Sequence, residues 1–370
     1  MSQPVVPPQV LRKLHAVPSR PVAAAASTAP KLQGQLFDQI RLEGKSPRTA
    51  EAYWHWSRCF ILWAGKRHPR DMGEVEVRGF LNHLVNGKHC SVSTHTQALH
   101  ALLFLYRRVL GIALPWLDGL TTPKPTKRLP VVLTESEMAA LWPRLQGTNG
   151  LIVKLLYGCG LRVNEGLRIR VHDLNLEYRT ITVREGKGGK DRVAKVPESL
   201  VADLQAQLAH RKALHQYDLE CGMADVELPD ALRAKYPHAA QQLGWQWLFC
   251  TTAYNRIPGG TGMRRHHVHD SSIQKGLKTL VRQAGITKPA TPHTMRHSFA
   301  THLLRAGYDI RTVQELLGHA NVETTMIYTH VLAYAGRGVQ SPADALVGLV
   351  APQVAGARYP ALVQPSRLAA

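Results

Sequence analysis

His293, Arg296, His319 and Tyr328 fall within one short stretch near the C-terminus, and Arg162 and Lys187 can join them from upstream. Such a set suits transfer of a phosphoryl group. Two guanidinium forks can grip one phosphate in bidentate fashion and neutralise the charge that grows on it in the transition state. Histidines can donate to the non-bridging oxygens or move a proton near neutral pH. A lysine can protonate a leaving 5′-hydroxyl. Tyrosine, with a pKa near ~10, is a weak nucleophile unless positive neighbours favour its phenolate, and this set is expected to provide them. A helical tyrosine taken alone is ordinarily core or surface; its neighbours are what single out Tyr328.

Short helices with strong boundary signals must position these groups. Thr291 caps a helix that has Pro292 at its first position and ends at Gly307. His293 and Arg296, three apart, share a face near its N-terminus, an end that already favours anions. His297 and His302 on the same helix read as packing residues. Asp309 caps the next helix, Gly318 ends it just before His319, and Asn321 caps a third that presents Tyr328 about two turns in. Upstream, Thr134 and Glu137 form a capping box. The apolar run LIVKLLYGCGLR reads as a buried helix leading to Arg162. Thr180 to Lys195 alternates around a GKGG turn, which predicts a β-hairpin with Lys187 at its tip. Lys190 and Arg192 share that hairpin and are candidate DNA contacts, although a solvated side chain is the usual case at a turn. Helices are expected from about Glu198 to Tyr217 and from Asp270 to Ala284, with an irregular stretch, about 218–269, between them.

The rest of the chain divides by composition. Residues 1–30, rich in Pro and Ala, read as a disordered arm. Residues 31–120 read as a small all-helical domain, with Tyr53, Trp56, Phe60 and Trp63 forming a core stripe and Lys88, Arg107 and Arg108 exposed as candidate DNA contacts. The linker TTPKPTKRLP, 121–130, is extended and basic; it is either a plain spacer or a strap in which Lys124, Lys127 and Arg128 follow a phosphate backbone. Residues 131–348 form the second domain, and 349–370 a flexible tail. With 46 Lys+Arg against 26 Asp+Glu, the chain carries a formal charge of +20, which suits a polyanion such as nucleic acid. No apolar stretch approaches the ~20 residues of a membrane span, and the five scattered cysteines suggest a reducing compartment, so a cytoplasmic, nucleoid-associated address is expected.

Five segments, GCGLRVNE, EGKGGKDR, TPHTMRHSFATHLL, LLGH and the nine-residue step to IYTH, resemble the motifs of tyrosine recombinases in order and spacing. Cys159 and Asn164 depart mildly from that pattern. The resemblance covers about residues 35–348 and implies a mainly α fold with a small β-hairpin or sheet (α+β). It implies a helical core-binding domain and a catalytic domain that clamp DNA. It also implies a covalent 3′-phosphotyrosyl intermediate, with no metal and no cofactor. Carried over, Arg162 and Arg296 are the phosphate clamp, Tyr328 the nucleophile and Lys187 the general acid. His293 is a proton acceptor or phosphate ligand, His319 a donor to the phosphate, and Glu165 orients the site.

Between the hairpin and the His293 helix, VELPDALRAKYPHA, WQW and GMRRHHVHDSSIQ resemble the insertion of integron integrases. That resemblance implies folded single-stranded attachment sites beside duplex DNA as partners, and a homo-tetramer assembled on two sites. Trp245, Trp247, His266 and His267 are the candidates to hold extrahelical bases, since aromatic rings stack on bases of any sequence. The three histidines near 266–269 suggest a metal cluster only weakly, because no Cys or carboxylate stands at finger spacing. A relaxing topoisomerase with the same phosphotyrosine chemistry, and a non-enzymatic DNA-binding protein on the same fold, are the alternatives.

Overall fold

The computed structural model describes residues 31–113, 129–184, 191–257 and 262–334. The expected arm 1–30, nearly all of the linker, the hairpin tip and the tail lie outside them. The chain forms two compact units, Met1–Lys127 and Arg128–Ala370. Both are mainly helical, and two small sheets complete the second, as the expected fold class requires.

In the first unit four helices pack on one another: α1 (Leu32–Leu42), α2 (Pro47–Trp63), α3 (Glu74–Asn82) and α4 (Val92–Phe104). Ser46 caps α2 by accepting the Thr49 N–H at 3.2 Å, and Ser91 does the same for α4 through Thr94. The core gathers Leu36, Ile40, Phe60, Val77, Phe80, Leu102, Leu105 and Tyr106. Of the aromatic stripe on α2, Phe60 is wholly enclosed, Tyr53 and Trp56 pack from the margin, and Trp63 leans on Phe80 while staying partly exposed. Both α3 and α4 run on into a π-helical turn, and Gly111 at φ 68° stops the second.

The second unit is built around α6 (Gly147–Gly158), an almost wholly apolar helix. It follows α5 (Glu135–Leu141), whose capping box is closed by Thr134 and Glu137. The chain then forms α7 (Val163–Leu167) and a three-stranded antiparallel sheet of β1 (Leu174–Asn175), β2 (Thr180–Val183) and β3 (Arg192–Lys195). Pairing of Val183 with Arg192 closes the hairpin below its tip. Next come α8 (Val201–Glu220), α9 (Asp230–Lys235), and a two-stranded ribbon of β4 (Cys250–Arg256) and β5 (Met263–His267). Four helices complete the described residues of this unit: α10 (Asp270–Gln283), α11 (Pro292–Arg305), α12 (Ile310–Leu317) and α13 (Val322–Tyr334). α6 packs against α10, α11 and α8, with Leu151, Ile152, Leu155 and Leu156 at the centre of the core. A smaller cluster of Ala300, Leu304, Val313, Leu317 and Tyr328 joins α11, α12 and α13.

The stretch expected to be irregular, 218–269, contains the β4–β5 ribbon and is held by buried charge as much as by apolar contact. Asp218, fully enclosed, accepts from Arg265 at 2.9 Å, Tyr254 at 2.7 Å and Arg211 at 3.3 Å. Arg211 also reaches the Gln246 amide oxygen at 2.8 Å. Where the chain enters the unit, Leu133 is fastened to α11 twice. Its N–H donates to Ser298 Oγ at 3.0 Å and its carbonyl lies 2.9 Å from His302 Nε2, while Lys288 donates to the Val132 carbonyl at 3.0 Å.

Candidate active site

Glu165, in the first turn of α7, organises a cluster of guanidiniums. Arg162 stands at the N-cap position, where its own N–H donates to Glu165 Oε2 at 2.8 Å and its Nη1 to Oε1 at 2.6 Å. Backbone and side chain of Arg162 are therefore fixed by one carboxylate. Arg192, from β3, donates to Oε2 at 2.7 Å, and Arg296, from α11, lies 3.7 Å away. Arg296 is 4% exposed and donates to the carbonyls of Gly160 and Leu317, each at 2.6 Å. Two glycines make these approaches feasible. At Gly160 (φ +62°) a Cβ would lie 2.5 Å from the Phe299 ring, and at Gly318 (φ +63°) one would lie 2.6 Å from Arg192 Cδ. Three cations thus share one anion. Burial and the Arg162 charge push Arg296 down to about 10, which still leaves it charged at neutral pH. The arrangement is one that a bound phosphate would complete.

Arg192 was expected on the solvated hairpin. Instead its side chain is 13% exposed, wedged between Glu165 and Gly318, because the β2–β3 register turns it toward α7 and a buried guanidinium needs a carboxylate.

Tyr328 lies in the second turn of α13, with only 3% of its surface exposed. Its hydroxyl is 3.0 Å from Nδ1 of His297, and its ring lies parallel to that of His319 with centroids 6.4 Å apart. Burial raises the phenol pKa; Arg296 and Arg162 pull it down, but burial prevails. The expectation that positive neighbours make the resting tyrosine acidic is therefore corrected: desolvation of the anion outweighs the guanidiniums. His319, with Nδ1 2.9 Å from Thr325 Oγ1, is lowered to about 4 by burial and then by Arg296 and Arg162. His293 sits at the open end of α11, its pKa lowered by partial burial and the same two arginines. His297, expected to be a packing residue, is half-buried and lowered to about 4 by burial, His293 and Arg296. Spacing could have flagged it, since it follows His293 by one helical turn and so faces the same neighbours. His302 does pack, between the Tyr157 hydroxyl and the Leu133 carbonyl.

The remaining sequence candidates scatter. Lys187, Lys190, Lys124, Lys127 and Arg128 lie outside the described residues. Lys88, Arg107 and Arg108 are on the surface of the first unit, with Arg108 paired to Glu43 at 2.6 Å. In the second unit Trp247 is 3% exposed, with the Arg170 guanidinium 3.8 Å over its ring and His267 edge-on at 5.4 Å. Its faces are already occupied, which corrects its assignment as a free stacking platform: the buried Arg170 charge takes the ring. His267 is half-buried, and burial pushes it down to about 4. Trp245 and His266 keep open surface, Trp245 with the His172 ring 4.5 Å away and His266 against His267. Beside them is a cavity of about 540 Å³ lined by Arg168, Arg184, Asp191, Leu232, Trp245 and Trp247. No helix of the described residues is long and apolar enough to cross a membrane.

Comparison with known proteins places these features in context. Residues 132–334 match the phage integrase family, and residues 32–116 match the N-terminal SAM-like domain of phage integrases. An integrase/recombinase of Escherichia coli is 52% identical, over 85% of this chain and 94% of its own length. Tyrosine recombinase XerA of Thermococcus kodakarensis is 34% identical, over 84% of this chain and 94% of its own. Among solved structures, the Tn1549 transposon integrase in complex with transposon right-end DNA shares the fold. Its TM-score is 0.56 at 18% identity, over 86% of this chain and 98% of that one.

Proposed function

The chain belongs to the phage integrase family and is a tyrosine site-specific recombinase, an enzyme that cleaves and rejoins DNA strands, and on that premise we propose that Tyr328 is its nucleophile. The phenolic oxygen attacks the scissile phosphorus, forming a 3′-phosphotyrosyl ester as the bond to the 5′-oxygen breaks. Lys187 supplies the proton that the 5′-oxygen takes up. Arg162 and Arg296 grip the non-bridging oxygens, where fixed donors act most strongly on developing charge. Glu165 orients both. His319 donates through Nε2, since its Nδ1 faces Thr325, and His293 sits at the rim as a phosphate ligand. Rejoining is the same path in reverse, and the ester conserves the bond energy, so no cofactor is required. The observation that carries this assignment is the Tyr328 hydroxyl enclosed beside guanidiniums that outnumber their carboxylate. The test is to expose the protein to a pool of nicked duplexes with random flanks and sequence the DNA that becomes covalently attached. Wild type should capture a defined site and Tyr328→Phe none. An adduct formed by Tyr328→Phe would refute the assignment.

We further propose that the enzyme is an integron integrase, which integrates and excises gene cassettes and acts on folded single-stranded sites as well as duplexes, four protomers assembling on two sites. The support is the folded segment 218–269 and the cavity at its junction with α7 and the hairpin. Trp245 lines that cavity, His266 lies 3.5 Å from its lining residue Glu227, and Trp247 Nε1 is buried without a partner. The double change Trp245→Ala, His266→Ala should impair recombination of a hairpin site while sparing its duplex form. Equal effects on both would count against the subfamily.

A further inference from the structure

We propose that His297 is the base that takes the phenol proton of Tyr328 as the strand is cut and returns it as the strand is rejoined. The inference rests on Tyr328 being the nucleophile. It starts from contact: Nδ1 of His297 is 3.0 Å from the phenolic oxygen, within the reach a proton acceptor needs. Among the described residues, no other side chain hydrogen-bonds that hydroxyl. The other two histidines of the cluster are placed otherwise. His319 lies parallel to the tyrosine ring, and its Nδ1 is taken by Thr325. The His293 ring is 6.3 Å from that of His297, one helical turn closer to solvent.

The surroundings keep His297 ready to accept. Facing it are Arg296 and His293 from its own helix α11, and His319 and Tyr328 from the α12–α13 side. Arg162 from the start of α7 and Arg192 from β3 bear on the neighbouring His319 and extend the positive set, with Glu165 as its carboxylate. In such company the imidazole is unprotonated at neutral pH, so the hydroxyl donates and Nδ1 accepts. A weakly basic imidazole beside a phenol of raised pKa will not take the proton in advance. It does so only as the oxygen–phosphorus bond forms, when the phenolic oxygen gives up its charge to the ester. The incoming phosphate also adds negative charge nearby, which favours the imidazolium. In balance, the O–H bond of Tyr328 breaks and its proton goes to Nδ1. The O–P bond forms, the P–O5′ bond breaks, and the 5′-oxygen is protonated from the other side. The resting tyrosine stays protonated and inert until a phosphate is present.

The test is single-turnover cleavage of the nicked duplex recovered by covalent capture, followed between pH 5.5 and pH 9 for wild type, His297→Asn and His297→Ala. Asn sets an acceptor oxygen near the place of Nδ1 but cannot carry the proton. Wild type should cleave at a nearly level rate across the neutral range. Both variants should bind the duplex normally yet cleave roughly 10²-fold slower at pH 7. Their rates should climb about tenfold per pH unit, because they depend on the spontaneously ionised phenol. An Asn variant that cleaves at the wild-type rate would reduce His297 to holding the hydroxyl in place, and variants slowed equally at every pH would overturn the proposal. If wild type forms no adduct at all, the failure belongs to the assignment of Tyr328.

Discussion

Arg296 and Arg162 would have equal roles on a phosphate but are held very differently. Arg296 is sealed under two carbonyls from distant segments, Gly160 and Leu317, whereas Arg162 keeps 23% of its side chain open. A lysine at 296 cannot span both carbonyls and still present a fork. Arg296→Lys should therefore lower cleavage by roughly 10²-fold while leaving duplex affinity near wild type, measured by adduct yield beside a gel-shift titration. Cleavage within a few-fold of wild type would contradict that placement. At this scale the residues that the structure gathers around Glu165 and Tyr328 were legible from motif and spacing, and their helix caps with them: Thr291 and Asp309 accept backbone N–H groups at the helix starts. What escaped was side-chain destination. Arg192 looked solvated because a charged residue in a hairpin usually is, and His297 looked like packing. Neither sequence position says that a carboxylate or a hydroxyl from another element will be waiting.

Among the elements, the β4–β5 ribbon shows why part of the fold was illegible. CTTAYNR and MRRHH carry no apolar alternation, so no strand signal is present. Their stability comes from Asp218 at the end of α8, which gathers Arg211, Arg265 and Tyr254. Removing that carboxylate leaves two buried guanidiniums uncompensated. Asp218→Ala should cost about 3–5 kcal/mol in urea unfolding, and a loss below about 1 kcal/mol would show that the network is not what holds the ribbon. By contrast α6 was plain in the sequence, its apolar run from Leu151 to Leu156 being broken only by Lys154. The link between Leu133 and α11 is of a third kind, a pair of long-range hydrogen bonds, of which the one to Ser298 is buried and spans 165 positions. Ser298→Ala should orphan the Leu133 N–H and cost about 1–3 kcal/mol, read from the same unfolding curves.

For the whole molecule, several depressed histidines act together on stability. His267, His297 and His319 sit near 4 in the folded protein, against 6.5 for an unperturbed imidazole. Between those values the unfolded chain binds protons that the folded chain refuses. Stability should thus be level above about pH 6.5 and fall as the pH drops toward 4. Urea midpoints at pH 7.5, 6 and 5 measure this, and His319→Gln should flatten the slope; a midpoint unmoved by pH would contradict the burial of these rings. The Leu133 attachment has a mechanical consequence. Leu133, near the start of the second unit, is riveted to α11 by Ser298 and His302, and α11 also carries His293, Arg296 and His297. A pull on the chain at Leu133 is therefore not lost in a slack surface loop. It is delivered to the helix that carries Arg296, so a force applied there reaches the cluster around Glu165 and Tyr328 directly.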